Sequence, residues 1–506
     1  MQRIAIIDIG SNSARLVITH LYKNGAYNMV YNQKESLRLS QKVEDRSILT
    51  PQAFEDTLEC MRSFSSMCKL FEVDTILAVA TAAIRNAANG KDLAEQVQAD
   101  TGITLHIISG STEAYISYLG VINTLAVKNG IIFDLGGGST ELILFRDRKM
   151  LEAISLPFGC VNLTTMFNTK DQLSSHVYSD ISSFVLSRLE KYPWLKDPSL
   201  PLIGVGGTAR TLAKIEQKKM KYPSSKIHNF QFAAQAFKTT FRALRDTNLE
   251  QRKKIPGLNS DRSDIILAGA SIVQCLVEIT GSKKFITSGC GLREGLFFDY
   301  YAKKENIPLI AEDILEESTR NILALYSTEV THNQHIAALA LTMFDAWKPL
   351  LDLTPAWRKL LRVAALLHDI GITINYYSHA RHSAYMIENA RLFGLTHKEQ
   401  IMVAVIAGWH NGVSRNYFRN RQFKDMLTDN DFNNLSKLAL LLALAESMDY
   451  SQTSQISAIH PEIIDKKTAL LGLTSEKPPS IELHQIKQHL RWFNKTFNMD
   501  LLIESK

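Results

Sequence analysis

The 506-residue sequence predicts an α/β N-terminal half made of two similar lobes, followed by an all-α region and a small α/β C-terminal subdomain. Two segments, 3–20 and 131–145, each contain an apolar run, a turn that begins Asp-x-Gly, and a second apolar run. Such a repeat is typical of two related β-hairpins. A helical pattern replaces the strand pattern near residue 303, and strand-like runs return near residue 466. The predicted domains are 1–120, 121–302, 303–465 and 466–506.

The turn within IIFDLGGGSTELILF, residues 131–145, carries the strongest chemical signal. Glycine has no Cβ, so the backbone of Gly136, Gly137 and Gly138 can turn sharply and bring its N–H groups against an anion. Ser139 adds a hydroxyl donor to the same turn. These residues are predicted to bind phosphate.

Two acidic residues flank this turn. Asp134 precedes the glycines and Glu141 follows them. Carboxylate oxygens are hard ligands suited to Mg²⁺ beside a phosphate. A glycine turn alone could be an ordinary β-turn, but an acid on each side, with a strand before and after, favours a phosphate and magnesium site.

The N-terminal segment repeats this design. A predicted strand at 3–8 ends in Asp8, and the Asp8-x-Gly10 unit lies 126 residues before the Asp134-x-Gly136 unit. The repeat predicts two lobes that face one phosphate cleft, with Asp8 and Asp134 on that cleft. The first turn contributes the candidate phosphate ligands Gly10, Ser11, Asn12 and Ser13.

A third glycine turn follows the apolar pair at 202–203. Gly206, Gly207 and Thr208 open a predicted helix that runs to about residue 220. The free N–H groups and the positive dipole end of a helix N terminus favour phosphate. These three residues are therefore predicted to contact the same phosphate group.

Two more residues of the first lobe are candidates for the site. Arg85 follows a predicted strand at 75–80, at the carboxyl end where clefts of α/β proteins lie, and is interpreted as a phosphate ligand rather than a surface charge. Glu113 lies in the first turn of a predicted helix at 113–124. It is either a helix-capping acid or a base that takes a proton from water. The helix end is expected to keep its carboxylate ionised at neutral pH.

The all-α region contains a series of histidines. An adjacent His-Asp pair ends a predicted helix at 357–368, and Asp449 ends another at 436–449. Neutral imidazole and carboxylate suit a divalent metal, whereas a lone histidine near a core is usually structural. The predicted second metal set is His335, His368, Asp369 and Asp449, with His382 and His410 nearby.

The C-terminal subdomain shows no chemical signal. Strands are predicted at 469–473, 480–483 and 500–503, and a helix near 484–497. No strand is predicted between residues 303 and 468.

Composition excludes several classes of protein. The chain has 57 Lys and Arg against 51 Asp and Glu, a net charge of +6 that suits a polyanion without establishing one. Five cysteines without a C-x-x-C pair argue against a disulfide framework. The N terminus does not read as a signal peptide, and the apolar runs are too short to span a bilayer. We expect a reduced, cytoplasmic protein with no membrane partner and no specific nucleic-acid partner.

Six motifs, in this order, resemble those of the Ppx/GppA phosphatase family, within the actin-like, hexokinase-like (ribonuclease H-like) ATPase superfamily. The helical region resembles the HD-type domain of the long family members, and the tail resembles their small C-terminal domain. The motifs are IDIGSNSARLV, AVATAAIRNAAN, SGSTEA, FDLGGGSTEL, GVGGTARTLA and SGCGLREG.

The resemblance assigns roles to the candidate residues. It implies that Glu113 activates the attacking water and that Asp134 and Glu141 associate with Mg²⁺ and phosphate. It also implies two lobes that close on a terminal phosphoryl group, and commonly a homodimer. In the helical region the histidine and aspartate ligands remain present, so a second divalent metal is chemically feasible there.

The implied activity is that of an exopolyphosphatase, the Mg²⁺-dependent hydrolytic release of terminal phosphate from inorganic polyphosphate. The alternative is a guanosine pentaphosphate (pppGpp) 5′-phosphohydrolase, with guanosine tetraphosphate as a related partner. The sequence does not decide between them, because both substrates present a terminal phosphoanhydride. An actin-like-fold kinase and a non-catalytic nucleotide sensor are the remaining alternatives.

Overall fold

A computed structural model describes residues 1–44, 47–197, 199–327, 329–413 and 424–505. The chain forms two compact units, Met1–Ile314 and Leu315–Lys506. Within the described ranges, the helices are all too short or too polar to cross a membrane.

The first lobe is built on a five-stranded sheet. Its helices are α1 (Pro51–Leu70), α2 (Ala82–Arg85) and α3 (Gly90–Thr101). Its strands are β1 (Gln2–Ile9), β2 (Ala14–Leu21), β3 (Tyr27–Glu35), β4 (Val43–Glu44), β5 (Ile48–Leu49), β6 (Thr75–Ala80) and β7 (Leu105–Ile107).

The order in this sheet is β3-β2-β1-β6-β7, and β4 pairs with β5 apart from it. The first three strands form an antiparallel meander, and β6 and β7 run parallel to β1. β1 is central and apolar on both faces, since Ile4 and Ile6 are buried on one side and Ala5 and Ile7 on the other.

The second lobe repeats this plan. Its strands are β8 (Gly130–Leu135), β9 (Thr140–Arg146), β10 (Lys149–Leu156), β11 (Leu202–Val205), β12 (Phe230–Ala233) and β13 (Lys284–Thr287). The helices that follow β7 in this unit are α4 (Gly110–Ile122), α5 (Cys160–Met166), α6 (Ser175–Leu189), α7 (Gly206–Lys219), α8 (Ala234–Arg245), α9 (Leu249–Arg252), α10 (Ile266–Thr280) and α11 (Leu292–Glu305).

The strand order in the second lobe is β10-β9-β8-β11-β13-β12. Three antiparallel strands again precede two parallel ones, and β12 is added antiparallel at the edge. The two Asp-x-Gly turns therefore lie at equivalent places in two sheets of one design.

Helices α4 and α11 each cross to the other lobe. α4 buries Tyr118 with Ile132 and Phe145 of the second sheet, and α11 buries Phe297 with Ile4 of the first. The connecting helix of each lobe thus covers the sheet of its neighbour, and the boundaries at residues 120 and 302 stay predictions.

The two crossing helices touch each other through glycines. A Cβ on Gly120 would lie 2.1 Å from the Gly291 carbonyl oxygen, and one on Gly295 would lie 1.8 Å from the Ile116 carbonyl oxygen. Since no side chain fits at either position, glycine is required for this close approach.

The second unit is mainly helical and has one core. Its helices are α12 (Ile314–Tyr326), α13 (Val330–Ala346), α14 (Lys348–Leu351), α15 (Pro355–Leu367), α16 (His379–Asn389), α17 (His397–Trp409), α18 (Asp429–Met448), α19 (Ser480–Gln488) and α20 (Leu490–Phe497). A three-stranded sheet, in the order β14-β15-β16, shares that core. Its strands are β14 (Ile456–Ile463), β15 (Thr468–Ser475) and β16 (Asp500–Ser505).

The C-terminal prediction was wrong in three places. β14 begins at Ile456, before the predicted first strand, and it contains Pro461, which is tolerated because β14 is an edge strand. Residues 480–483 belong to helix α19 rather than to a strand, and the predicted helix near 484–497 is two helices. The buried residues of α19, Glu482 and Ile486, lie four apart as in a helix, and Glu482 accepts a hydrogen bond from Ser451 at 2.6 Å.

Candidate active site

The two glycine-containing hairpins close with the same backbone turn. The Gly10 N–H donates to the Ser13 carbonyl at 3.1 Å, and the Gly136 N–H donates to the Ser139 carbonyl at 3.0 Å. The structure therefore contains the pair of similar hairpins that the sequence predicted.

These two turns lie directly against each other. A Cβ on Gly137 would lie 3.0 Å from Ser11 Cβ and 3.4 Å from the Asn12 nitrogen, and a Cβ on Gly138 would lie 2.7 Å from Ser11 Oγ. The missing Cβ atoms allow this contact. The two turns, one from each lobe, thus meet at one place.

The third glycine turn reaches the same cleft. Gly206 has a φ of +90°, and a Cβ there would lie 3.2 Å from Asp134 Oδ1. A Cβ on Gly207 would lie 1.9 Å from Arg262 Nη2, so this guanidinium rests on the first turn of α7. The N terminus of α7 is therefore part of the site.

Thr208 was predicted as a phosphate ligand at the N terminus of this helix, and that prediction stays with its backbone. It is 1% exposed, and a Cβ on Gly269 of α10 would lie 2.9 Å from its Oγ1. Its side chain points into the core of the second lobe because α7 packs on α10 there. Only its backbone lies at the helix N terminus.

The predicted magnesium ligands are neighbours across a strand pair. The register of β8 and β9 places Asp134 opposite Glu141, so both side chains leave the same face of the sheet. Ser117 donates a hydrogen bond to Asp134 Oδ2, and Ser155 donates one to Glu141 Oε1 at 2.8 Å. These hydroxyls orient the two carboxylates.

Four acidic side chains share this buried region. Burial raises the pKa of Asp8 to about 6 and the pKa of Glu113 to about 7. Burial also raises the pKa of Asp134, and it holds the pKa of Glu141 well above its ordinary value. The charge of Asp134 adds to the increase in the pKa of Asp8 and of Glu113. A set of crowded, hard carboxylate ligands fits a divalent cation such as Mg²⁺, which would relieve their repulsion.

Glu113 is held at the start of α4 by an arginine. The Ser109 hydroxyl accepts from the Thr112 N–H at 3.1 Å and caps the helix. Arg85 Nη1 donates to Glu113 Oε2 at 2.7 Å and to the Ile108 carbonyl at 3.1 Å. Arg85, predicted as a phosphate ligand, is thus also the ion-pair partner of the candidate base. Burial outweighs both this pair and the helix end, contrary to the expectation that the pKa of Glu113 stays low.

A pocket of about 360 Å³ opens beside this ion pair. It contains Arg85 and Ser139, two of the predicted phosphate ligands, and Ser155, the partner of Glu141. The lining residues are Arg85, Asn86, Gly110, Ser111, Ser139, Ser155 and Pro157.

Sequence reasoning missed a group of arginines at the site. Burial lowers the pKa of Arg15 to about 10 and also lowers the pKa of Arg210, and Arg293 lowers both further by charge repulsion. Arg262 acts on both in the same direction. A signal was present, because Arg15, Arg210 and Arg293 each follow a glycine-containing turn by a few residues. Buried cations that repel one another favour a polyanion between them.

The helical unit brings together a set of histidines that differs from the predicted one. Ligand atoms of His332, His368, Asp369 and Glu446 lie within 4.8 Å of one another, and so do those of Asp369, His379 and His410. His368, Asp369 and His410 were predicted. His332, His379 and Glu446 were missed.

Three predicted ligands lie outside these groups of described residues. His332, rather than His335 one turn later, faces the core and is 4% exposed. Asp449 instead accepts from His332 Nδ1 at 2.8 Å, while Glu446, one turn earlier, reaches the group. His382 packs its Cβ near Gly371, and His379 takes the corresponding place. Helical periodicity indicates a buried face, but it does not tell apart two histidines one turn apart.

The model described as the Ppx/GppA phosphatase family matches residues 17–304, and that of Ppx/GppA phosphatase, domain III, matches residues 314–496. The crystal structure of the Aquifex aeolicus member of the Ppx/GppA family is 32% identical with a TM-score of 0.53, over 61% of this chain and 99% of that one. The structure of an exopolyphosphatase from Cytophaga hutchinsonii is similar in fold, at 22% identity and a TM-score of 0.55, over 61% of this chain and 100% of that one.

Proposed function

The chain belongs to the Ppx/GppA phosphatase family, whose members hydrolyse phosphoanhydride bonds, and on this premise we propose that it is an exopolyphosphatase. The observation that carries this proposal is the pocket beside Arg85 and Glu113. The pocket is lined by small polar residues, Asn86, Pro157 and one arginine. This lining offers no aromatic surface on which a purine would stack. The chemistry of that lining suits a chain of phosphates.

The substrate's terminal phosphate is held by backbone and cation together. The terminal phosphate would contact the turns Gly10–Ser13 and Gly136–Ser139, which pack against each other, and the N terminus of α7, where a helix favours an anion. The half-buried arginines Arg15, Arg210, Arg262 and Arg293 supply positive charge for the phosphates that follow. Phosphoryl transfer depends mostly on such positioning and charge stabilisation.

Asp134 and Glu141 would hold Mg²⁺, which when bound neutralises charge that develops on the phosphoryl oxygens. Ser117 and Ser155 keep the two carboxylates in place through their hydrogen bonds. Burial is the main cause of the raised pKa of both acids. Such an increase is expected at a cation site when no cation is bound.

Glu113 is the proposed general base. A base is most efficient when its pKa lies near the working pH, and burial brings the pKa of Glu113 to about 7. Arg85 fixes the carboxylate through the 2.7 Å contact and stabilises its ionised form. Glu113 then orients a water and accepts its proton as the phosphoanhydride breaks.

A phosphate-release assay that compares long-chain polyphosphate with guanosine pentaphosphate tests this assignment. We expect the higher kcat/KM with polyphosphate and release of phosphate without any acceptor, which excludes a kinase. A higher value with guanosine pentaphosphate would transfer the proposal to the alternative substrate. Tight binding without release would indicate a nucleotide or polyphosphate sensor. A homodimer, an HD-type helical domain and a cytoplasmic location stay predictions from the sequence.

A further inference from the structure

The helical unit contains a buried group of six side chains that the proposed reaction does not use. His368 and His410 are 0% and 1% exposed, and His332 is 4% exposed. Asp369, His379 and Glu446 complete the group, and their side chains are between 13% and 21% exposed. The six come from five separate parts of the unit, so the fold itself assembles them.

The hydrogen bonds fix each imidazole in one orientation. His368 Nδ1 lies 2.8 Å from the Ala365 carbonyl oxygen, and His410 Nδ1 lies 2.6 Å from that of Ala407. A carbonyl oxygen only accepts, so each Nδ1 must carry a proton, and in the neutral ring that binds a metal Nε2 presents the lone pair.

The other two histidines follow the same rule. His379 Nδ1 lies 2.9 Å from the Tyr376 carbonyl oxygen, and His332 Nδ1 lies 2.8 Å from Asp449 Oδ2. In all four rings Nε2 therefore points to the centre of the group. An imidazole held through Nδ1 in this way is the usual arrangement of a metal-ligating histidine.

Imidazole Nε2 atoms and carboxylate oxygens crowd the centre of the group. His379 Nε2 and His410 Nε2 lie 3.2 Å apart, and His368 Nε2 lies 2.7 Å from Glu446 Oε2. His332 Nε2 and Asp369 Oδ1 are buried and make no hydrogen bond of good geometry among the described residues, although Glu446 Oε2 lies 3.4 Å from the first and His379 Nε2 lies 3.2 Å from the second. With neutral rings, lone pairs in such proximity repel unless a cation lies between them. His379 alone has a nearby amide, Asn411 Nδ2 at 3.2 Å.

We propose that these six side chains bind two divalent transition-metal ions that share Asp369 as a bridging ligand. One ion takes His332, His368 and Glu446, and the other takes His379 and His410. Asp369 Oδ1 lies 3.6 Å from His368 Nε2 and 3.2 Å from His379 Nε2, between the two groups. Two-metal sites commonly place their ions about 3.5–4 Å apart, a spacing that one carboxylate spans.

The donor set defines the class of metal. Four imidazole nitrogens with two carboxylates suit Mn²⁺, Fe²⁺, Co²⁺ or Zn²⁺, whereas Mg²⁺ prefers oxygen ligands alone. The partial exposure of Asp369, His379 and Glu446 leaves one side of the group open to solvent. The ions would therefore exchange, and each would keep a position for water.

The test is metal binding by the full chain after removal of metals with a chelator. Mn²⁺ is titrated by calorimetry in saturating Mg²⁺, which occupies sites with oxygen ligands. We expect two Mn²⁺ per chain and an exchange-coupled pair in the electron paramagnetic resonance spectrum. Fewer than one Mn²⁺ per chain, or only the spectrum of isolated ions at two equivalents, would overturn the proposal. This spectrum requires no variant.

Variants with matched controls locate the ions. Asp369→Asn is expected to abolish the coupled spectrum, and His332→Ala and His379→Ala should each lose one ion. His335→Ala and His382→Ala, one turn later on the same helices, serve as controls and should keep both. Equal loss of metal in His335→Ala and His332→Ala would refute the ligand assignment. Polyphosphate hydrolysis in Mg²⁺ is measured in parallel, so failure of this site is distinguishable from failure of the proposed function.

Discussion

Replacing Glu113 with glutamine separates the basicity of this side chain from its shape. The amide has the same size and can still accept the hydrogen bond from Arg85, which donates to Glu113 Oε2 at 2.7 Å. It cannot take a proton from water. We expect turnover to fall by about a hundredfold or more, equivalent to about 2.7 kcal/mol of transition-state stabilisation, with KM nearly unchanged.

The folding stability of this variant should move in the opposite direction. Burial raises the pKa of Glu113 to about 7 from an ordinary 4.5, so its ionised form is less favourable in the folded protein than in the unfolded chain. A raised carboxyl pKa lowers stability as the pH increases from about 4.5 to about 7. Glutamine lacks this charge, so at pH 8 the variant should be as stable as the wild type or more stable, by up to ~3 kcal/mol.

The assay is steady-state phosphate release from polyphosphate across Mg²⁺ concentrations, with thermal unfolding of the same samples. Glu216→Gln is the matched control, because Glu216 is a buried carboxylate of the same unit that accepts from Thr240 and pairs with Lys219 at 3.6 Å. This control should lose stability and keep its turnover. If Glu113→Gln keeps most of the wild-type rate, the base lies elsewhere and Glu113 is only the acid at the start of α4.

Four further outcomes follow from the structure. Asp134→Asn should weaken the Mg²⁺ dependence and turnover together, as measured by phosphate release over a Mg²⁺ titration; unchanged Mg²⁺ dependence would contradict its role. The hydrolysis rate should fall as the pH decreases through about 7, since Glu113 is then protonated. The pH at which this fall occurs should move lower as the Mg²⁺ concentration increases, because the cation favours the ionised carboxylate. If this pH does not depend on Mg²⁺, Glu113 does not interact with the metal. Gly295→Ala should lower the unfolding temperature, at a cost of about 2 kcal/mol or more, because its Cβ would lie 1.8 Å from the Ile116 carbonyl oxygen; wild-type stability would show that the helices can separate freely. Arg252→Met should cost about 4 kcal/mol in chemical denaturation, since this fully buried guanidinium donates to four backbone carbonyls; a loss below about 1 kcal/mol would show that water replaces it.

The sequence predicted the paired hairpins well because local chemistry specifies them. The turn requires glycine, and the aspartate lies two residues earlier at the end of the strand. The spacing of these two residues can therefore be recognised in the sequence. The arginines were harder to predict. Arg262 comes to Gly207 only through the packing of the second lobe, at a point 55 residues away along the chain (262 − 207).

The histidines show a second limit of sequence reasoning. The helices and their buried faces were predicted, but His332 and His335 lie one turn apart on one helix, and only tertiary packing selects between them. The same holds for Glu446 and Asp449. Asp449, which was predicted as a ligand, is hydrogen-bonded to His332 Nδ1. It therefore orients the proposed ligand His332 and is not a ligand itself.

The crossing of α4 and α11 has a consequence for the proton affinity of the base. Arg85 belongs to the first lobe. Glu113 lies on α4, which packs on the second sheet and contacts Gly291 through Gly120. Any change in the interlobe angle would therefore alter the distance between Arg85 and Glu113. A closed cleft with a short distance to Arg85 would favour the ionised form of Glu113. A wider cleft with a longer distance would favour its protonated form. Substrates that hold the lobes at different angles should then show different pH optima on the same enzyme.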